Sequence, residues 1–272
     1  MSILSALILG LIQGACEFIP VSSSAHICLF EAVTGCGPQL PGLDAVLHAG
    51  TLFAVLFAYR RELPGLFRAC ATLPRRIAGK NRLSRDERTV LFSLLCVVPV
   101  VVAAVCGGSE LSDRVSSSPA AVGALLILNG AILLTGDAAK NGTLIAEDTR
   151  FYHALGVGLF QAVAVLPGIS RSGATVTGGL LLGIRRDEAV RLSFICSVPA
   201  ILGACVLKLP AAFRYADAGT VPAYLCGAAA AALSGFAAVK LIKTIGEKPT
   251  FKYFSIYCFA AGICAVLYGI RG

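Results

Sequence analysis

The sequence predicts an all-α polytopic membrane protein, and three observations carry that expectation. Of 272 residues, 57% are apolar and only 14% charged, with a mean hydropathy of +0.81. Soluble domains average about 25% charged residues, so this chain has too few to cover a globular surface. Second, the charges are segregated. Charge-free runs occupy 89–109, 115–136, 218–239 and 253–270, each close to the ~20 residues that cross a bilayer. Third, two apolar stretches are interrupted in their middle by polar residues and proline. The same composition argues against a soluble enzyme and against intrinsic disorder. Trp is absent and Met occurs once, which leaves Phe and Tyr as interfacial anchors.

Taken in order, residues 3–30 are apolar but broken by Gln13, Glu17, Pro20, three serines and His26. Two short helices around a polar break are expected, each too short to span at 1.5 Å per residue. The run 45–59 reads as a span that ends at Arg60-Arg61. Residues 61–88 read as a basic cytoplasmic loop lying against anionic lipid. The runs 89–109 and 115–136 give two further spans. Residues 154–184 repeat the broken pattern through Gln161, Pro167, Gly168, Ser170, Arg171, Ser172 and Gly173. The runs 192–207, 218–239 and 253–270 complete the chain. The expectation is a single membrane domain over 1–272, with six transmembrane helices and two re-entrant hairpins. Pseudo-repeat 1 covers 1–140 and pseudo-repeat 2 covers 150–272. Three spans per half make the second half enter from the opposite side, an inverted repeat of the transporter kind. Non-helical backbone at membrane depth is tolerated only inside protein or against a wet cavity, so both breaks are expected to meet there.

The net charge of +8 reports orientation rather than nucleic acid. Placed on this topology, 18 of the 23 Lys and Arg fall on one side and four (Arg114, Lys208, Arg214, Arg271) on the other, with Arg171 on neither. The rule that positive loops stay inside puts the first side in the cytoplasm and both termini outside. The eleven Cys are scattered without C-x-x-C spacing and read as small packing residues. No basic region precedes the first apolar stretch, so a cleaved signal peptide is not expected.

Ionisable residues at membrane depth are functional candidates, and two stand out, Glu17 in the first hairpin and Arg171 in the second. Pro167-Gly168-Ile169-Ser170-Arg171-Ser172-Gly173-Ala174-Thr175 combines a turn, serine caps, a helix N-terminus and a guanidinium. Those are the parts of an anion cradle, and phosphate is its natural guest. Gln13-Gly14-Ala15-Cys16-Glu17-Phe18-Ile19-Pro20-Val21-Ser22-Ser23-Ser24-Ala25-His26 places Gln13 and Glu17 on one helix face, then a second serine-rich helix start, then a histidine. A serine near a histidine suggests nucleophile and proton carrier. A carboxylate beside phosphate suggests a shared divalent metal. His48 either faces the same cavity or bonds a neighbouring helix. His153, at a hairpin end, reads as structural.

Together, Gln13-x3-Glu17-Phe18-x-Pro20-Val21-Ser22-Ser23-Ser24-x-His26 and Pro167-Gly168-x-Ser170-Arg171-Ser172-Gly173-Ala174-Thr175 resemble the undecaprenyl-diphosphate phosphatase family of the bacitracin-resistance type, along essentially the whole chain. Leu47-His48-Ala49-Gly50-Thr51-Leu52 resembles a third segment of that family. The resemblance implies hydrolysis of undecaprenyl diphosphate to undecaprenyl phosphate and inorganic phosphate, recycling the lipid carrier for cell-wall synthesis in the bacterial inner membrane from an extracytoplasmic active site. It implies Ser23 as nucleophile, His26, Glu17 and Arg171 as its catalytic companions, and Gln13, Ser22, Ser24, Ser170, Ser172, Gly173 and Thr175 as substrate-binding positions. A divalent cation, Mg2+ or Ca2+, is implied on Glu17. The family motif allows Glu or Gln at the first position; Gln13 leaves Glu17 as the only carboxylate of the pair. Water activated directly by His26 remains an alternative to attack by Ser23. The motifs of the other membrane phosphatase type acting on polyprenyl diphosphates are missing: no His or Asp follows Ser170-Arg171 at its spacing. A carrier or flippase for polyprenyl phosphate, built on the same inverted repeat, is the rival function. Partners expected are the lipid substrate and membrane lipids, with no nucleic acid; the sequence is silent on oligomeric state.

Overall fold

A computed structural model describes residues 2–35, 40, 42–246 and 248–271. The protein is all-α. Helices α1 (Ile3–Phe18) and α2 (Ser23–Thr34) form the first hairpin, followed by α3 (Leu43–Ala58), α4 (Leu63–Ala78), α5 (Arg85–Ala103), α6 (Ser109–Ser116) and α7 (Pro119–Ala138). The second half comprises the hairpin α8 (Phe151–Val163) and α9 (Arg171–Leu181), then α10 (Arg186–Tyr215), α11 (Val221–Ile245) and α12 (Phe251–Arg271).

The ends of these helices follow from local chemistry. Ser84 caps α5 in a capping box with Glu87, and Ser118 caps α7 ahead of Pro119 at the first turn, both standard N-terminal devices. Gly35 closes α2 in the left-handed conformation at φ 60, which costs glycine nothing. Past α5 the backbone runs through a five-residue π turn, Ala104–Gly108, with Gly107 at φ 94, before α6. The charge-free run 89–109 is therefore helical but kinked near its end.

Five helices among the described residues are long and apolar enough to cross a membrane, and a sixth span arises only if α3 and α4 count as one bent pair, at 99° to each other. The expected span at 45–59 is thus realised as a 16-residue helix, about 24 Å long, short of the ~30 Å hydrocarbon core. Segment 61–88, expected as a loop, instead carries α4. Leu66, Ala69 and Leu73 of α4 are buried while Arg68, Arg75 and Arg76 stay exposed. This 3- and 4-residue periodicity makes an amphipathic helix, which Pro64 at its first turn allows to start.

The helix pairing follows the two halves. α1 packs against α11, and α8 packs against α5; α3 contacts both α10 and α11, and α10 contacts α5 as well as α3; α7 and α12 pack on each other. These pairs exchange when the halves are exchanged. Ion pairs gather at one end: Arg85 and Arg191 both reach Glu188, at 3.2 and 2.9 Å, Arg191 reaches Glu62 at 2.8 Å, and Arg186 reaches Asp137 at 3.1 Å. They join the C-terminal ends of α3 and α7 to the N-terminal ends of α5 and α10, so the residues the sequence sorted to the basic side do share an end. Lys208 and Asp44, 2.7 Å apart, join the opposite ends of α10 and α3.

Candidate active site

Between the hairpin tips lies a cavity of about 640 Å3. Its floor comes from both hairpins, through Gln13, Glu17, Ser22, Ser23 and Ser24 of the first and Ser170 and Arg171 of the second; His48 of α3 and Ala200, Ile201 and Ala204 of α10 form a wall. Asp44, Ser112, Asp113, Ser116 and Lys208 line its mouth.

Glu17 is the hub. It sits in the last turn of α1, which closes at Phe18 just ahead of Pro20, and it is 8% exposed. Arg171 donates from Nη2 to Oε1 of Glu17. Ser23 donates to Oε2 at 2.8 Å, and the Gln13 amide nitrogen donates to the same oxygen at 3.0 Å. A buried carboxylate needs this full set of donors to stay charged. The Gln13 amide nitrogen also lies 2.9 Å from Nδ1 of His48.

The hairpins are pinned to one another by backbone contacts. Ser22 accepts the Gly168 amide at 3.1 Å. Asn129, fully buried on α7, donates to the Pro20 carbonyl at 3.1 Å and accepts the Ser170 amide at 2.9 Å, so one side chain holds both breaks. Gly168 sits at φ 119, a conformation open to glycine. Gly173 lets α9 approach the first break: a Cβ there would stand 3.1 Å from that of Pro20.

Not every expected residue reaches the cavity. Ser172 shares a 3.1 Å contact with Ser170 Oγ, and Thr175 bonds the Arg171 carbonyl at 2.9 Å and Ser193 at 2.6 Å. Ser172, Gly173 and Thr175 therefore lie behind Arg171 and build the turn that aims it. His26 is placed away from Ser23: its Nδ1 lies 2.8 Å from the Ser22 carbonyl and its Nε2 2.6 Å from the Tyr257 hydroxyl, with the two rings stacked. The partner of Ser23 in this arrangement is Glu17. The histidine that does line the cavity is His48. His153 accepts the Arg150 amide at 2.9 Å, the capping role of a structural residue. Sequence reading missed Asn129, although a lone amide inside the charge-free run 115–136 was a usable signal.

Among the described residues no three His, Cys, Asp or Glu side chains cluster as a metal site. The donor set still fits a divalent cation of the magnesium kind, which is commonly held by one or two carboxylates together with substrate phosphate oxygens. Glu17 would be the carboxylate to hold it, once the substrate draws Arg171 away.

Comparison with known proteins points one way. A family model described as "Bacitracin resistance protein BacA" matches residues 6–264. A protein of Desulfatibacillum aliphaticivorans named "Undecaprenyl-diphosphatase" is 36% identical over 265 residues, covering 95% of this chain and 96% of its own. One of the same name from Desulfosudis oleivorans is 36% identical over 274 residues, covering 98% and 99%. A third, from Methanobrevibacter smithii, is 32% identical over 273 residues, covering 97% and 96%.

Proposed function

The chain belongs to the bacitracin resistance protein BacA family, and from that premise we propose how its cavity works as an undecaprenyl-diphosphatase. The enzyme hydrolyses undecaprenyl diphosphate to undecaprenyl phosphate and inorganic phosphate in a membrane. The observation that carries the mechanism is the single hydrogen-bonded cluster of Ser23, Glu17, Gln13 and Arg171 at the meeting of the hairpins.

In our reading the diphosphate enters the cavity and draws the Arg171 guanidinium from Glu17 onto phosphate oxygens, for which its planar fork is suited. α2 begins at Ser23 with no side-chain cap, so its first amides are free donors for the same anion. Ser23 then attacks the terminal phosphorus: the Ser23 oxygen–phosphorus bond forms, the bond to the bridging oxygen breaks, and undecaprenyl phosphate leaves. The serine proton passes to Glu17, already 2.8 Å away. Water next attacks the phosphoserine: the water oxygen–phosphorus bond forms, the Ser23 oxygen–phosphorus bond breaks, and Ser23 takes back the proton held by Glu17. Phosphate leaves with the water's oxygen, while the excess proton passes to solvent. A Mg2+ or Ca2+ ion held by Glu17 would supply further neutralisation of phosphate charge. Electrostatic stabilisation of the transferring group is usually the largest catalytic contribution.

We further place the protein in the bacterial inner membrane with both termini outside and the cavity opening extracytoplasmically, serving cell-wall lipid recycling. Two observations support that orientation. The mouth residues Asp44, Ser112 and Lys208 lie at the end poor in Lys and Arg, and the ion-pair network of Arg85, Arg186 and Arg191 lies at the other.

The test is phosphate release from undecaprenyl diphosphate in detergent, with magnesium, calcium or EDTA. Arg171→Ala and Glu17→Ala should each lose at least about 100-fold in turnover, the scale of removing one preorganised charge-stabilising group. A loss of tenfold or less would remove the cradle from the mechanism. Full activity in Ser23→Ala would transfer the attack to water.

A further inference from the structure

The Gln13–His48 contact fixes where the histidine proton sits. One nitrogen, Gln13 Nε2, lies 3.0 Å from Glu17 Oε2 and 2.9 Å from His48 Nδ1. The alternative amide orientation would point an oxygen at a carboxylate oxygen, two acceptors face to face. The amino group must therefore face Glu17, and its second hydrogen faces His48. His48 Nδ1 is then an acceptor, and the ring proton resides on Nε2. Thr51 ties the same turn by donating to the His48 carbonyl at 2.8 Å. The side chain is 29% exposed and lines the cavity, and no described residue partners Nε2.

From this geometry, and resting on the phosphatase reading above, we infer that His48 is a substrate-binding residue that donates Nε2–H to a phosphate oxygen, with Gln13 as the positioning residue that sets its tautomer. The charged groups around the ring are Glu17 on α1, Arg171 on α9, Lys208 on α10 and Asp44 on its own helix. None of them lies closer to the ring nitrogens than Gln13 among the contacts seen. Gln13 thereby links Glu17 and His48: one amino group holds the proton acceptor of Ser23 on one side and a phosphate donor on the other.

The test has two independent arms. In the first, the protein labelled with 15N-histidine is examined by NMR in detergent, His48 being assigned by its loss in His48→Gln. Wild type should show an unprotonated Nδ1 and a protonated Nε2, and inorganic phosphate should move the Nε2 signal while leaving Nδ1 in place. Gln13→Leu should let both tautomers appear. A protonated Nδ1 in wild type, or a phosphate-insensitive Nε2, overturns the inference. In the second arm, turnover is compared across substitutions. A glutamine side chain can present an oxygen inward and an N–H outward, so His48→Gln should stay within about threefold of wild type in kcat/KM. His48→Leu should lose at least about tenfold, the effect of one hydrogen bond to a charged group. Wild-type kcat/KM in His48→Leu overturns the donor role. The expected nitrogen pattern in a wild-type protein that releases no phosphate would instead overturn the phosphatase reading and leave the tautomer standing.

Discussion

The two hairpins share a plan and differ in how they end it. Each is a short helix, a proline-containing break and a second helix that begins at serines. In the second hairpin Ser170 caps its own helix, accepting the Gly173 amide at 3.2 Å. In the first, Ser22 occupies the equivalent cap position at φ 69 and makes no capping bond. Its hydroxyl accepts the Gly168 amide of the other hairpin instead. A non-glycine residue at positive φ costs about 1–3 kcal/mol, and the surrounding contacts offset it. The result is a division of labour. The first hairpin keeps an open helix N-terminus, the serine and the carboxylate; the second, closed on itself, delivers one guanidinium at a fixed place.

On that division, serines in the first turns of the two second helices should differ in effect. Ser23 lines the cavity and donates to Glu17, whereas Ser172 lies outside the cavity lining and faces Ser170. Ser23→Ala should lower turnover by at least about 100-fold, and Ser172→Ala by no more than about tenfold. Similar losses in a side-by-side phosphate-release assay would erase the distinction.

The next largest effect should come from the residue that holds the hairpins together. Asn129→Leu leaves the buried Ser170 amide without its partner and the Pro20 carbonyl with only the weak 3.9 Å contact from the Cys258 thiol. An unsatisfied group costs about 1–3 kcal/mol, so thermal unfolding in detergent should come at lower temperature. Turnover should fall about tenfold or more, because Ser23 and Arg171 sit on the two breaks that Asn129 aligns. Normal turnover in a folded Asn129→Leu protein would show that the Ser22–Gly168 contact suffices.

Much of this was legible in the sequence for physical reasons. Broken hydrophobic runs with Pro20 and Pro167 announced the hairpins, because proline removes a helix donor wherever it stands. Glu17 and Arg171 announced the site, because an ionisable group at membrane depth needs a partner. What stayed hidden depends on helix rotation and packing. The spacing from Ser23 to His26 suggests neighbours, yet α2 is turned so that His26 meets Tyr257 of α12, a contact 231 residues away. His48 enters the cavity because α3 packs across α10 and α11, which no local pattern records. Helix α4 was masked by its arginines and by Pro74 inside it, although its buried residues Leu66, Ala69 and Leu73 keep a helical period.

The smallest effect is the sharpest test of the comparison. Gln13 and Gln161 hold matching places in the two hairpins, seven and six residues before Pro20 and Pro167. Gln13 bonds Glu17 and His48. Gln161, 1% exposed, donates to the Cys96 carbonyl at 3.3 Å and leaves its own oxygen without a partner. A buried, unpartnered carbonyl oxygen is a cost, so Gln161→Leu removes a penalty along with one long hydrogen bond. Its stability should change by less than about 1 kcal/mol and its turnover by less than about threefold. Gln13→Leu should lower turnover about tenfold, because it frees both Glu17 and His48. If Gln161→Leu lost as much turnover as Gln13→Leu, the second hairpin would be taking part in the chemistry beyond Arg171, and the repeat would be functional on both sides.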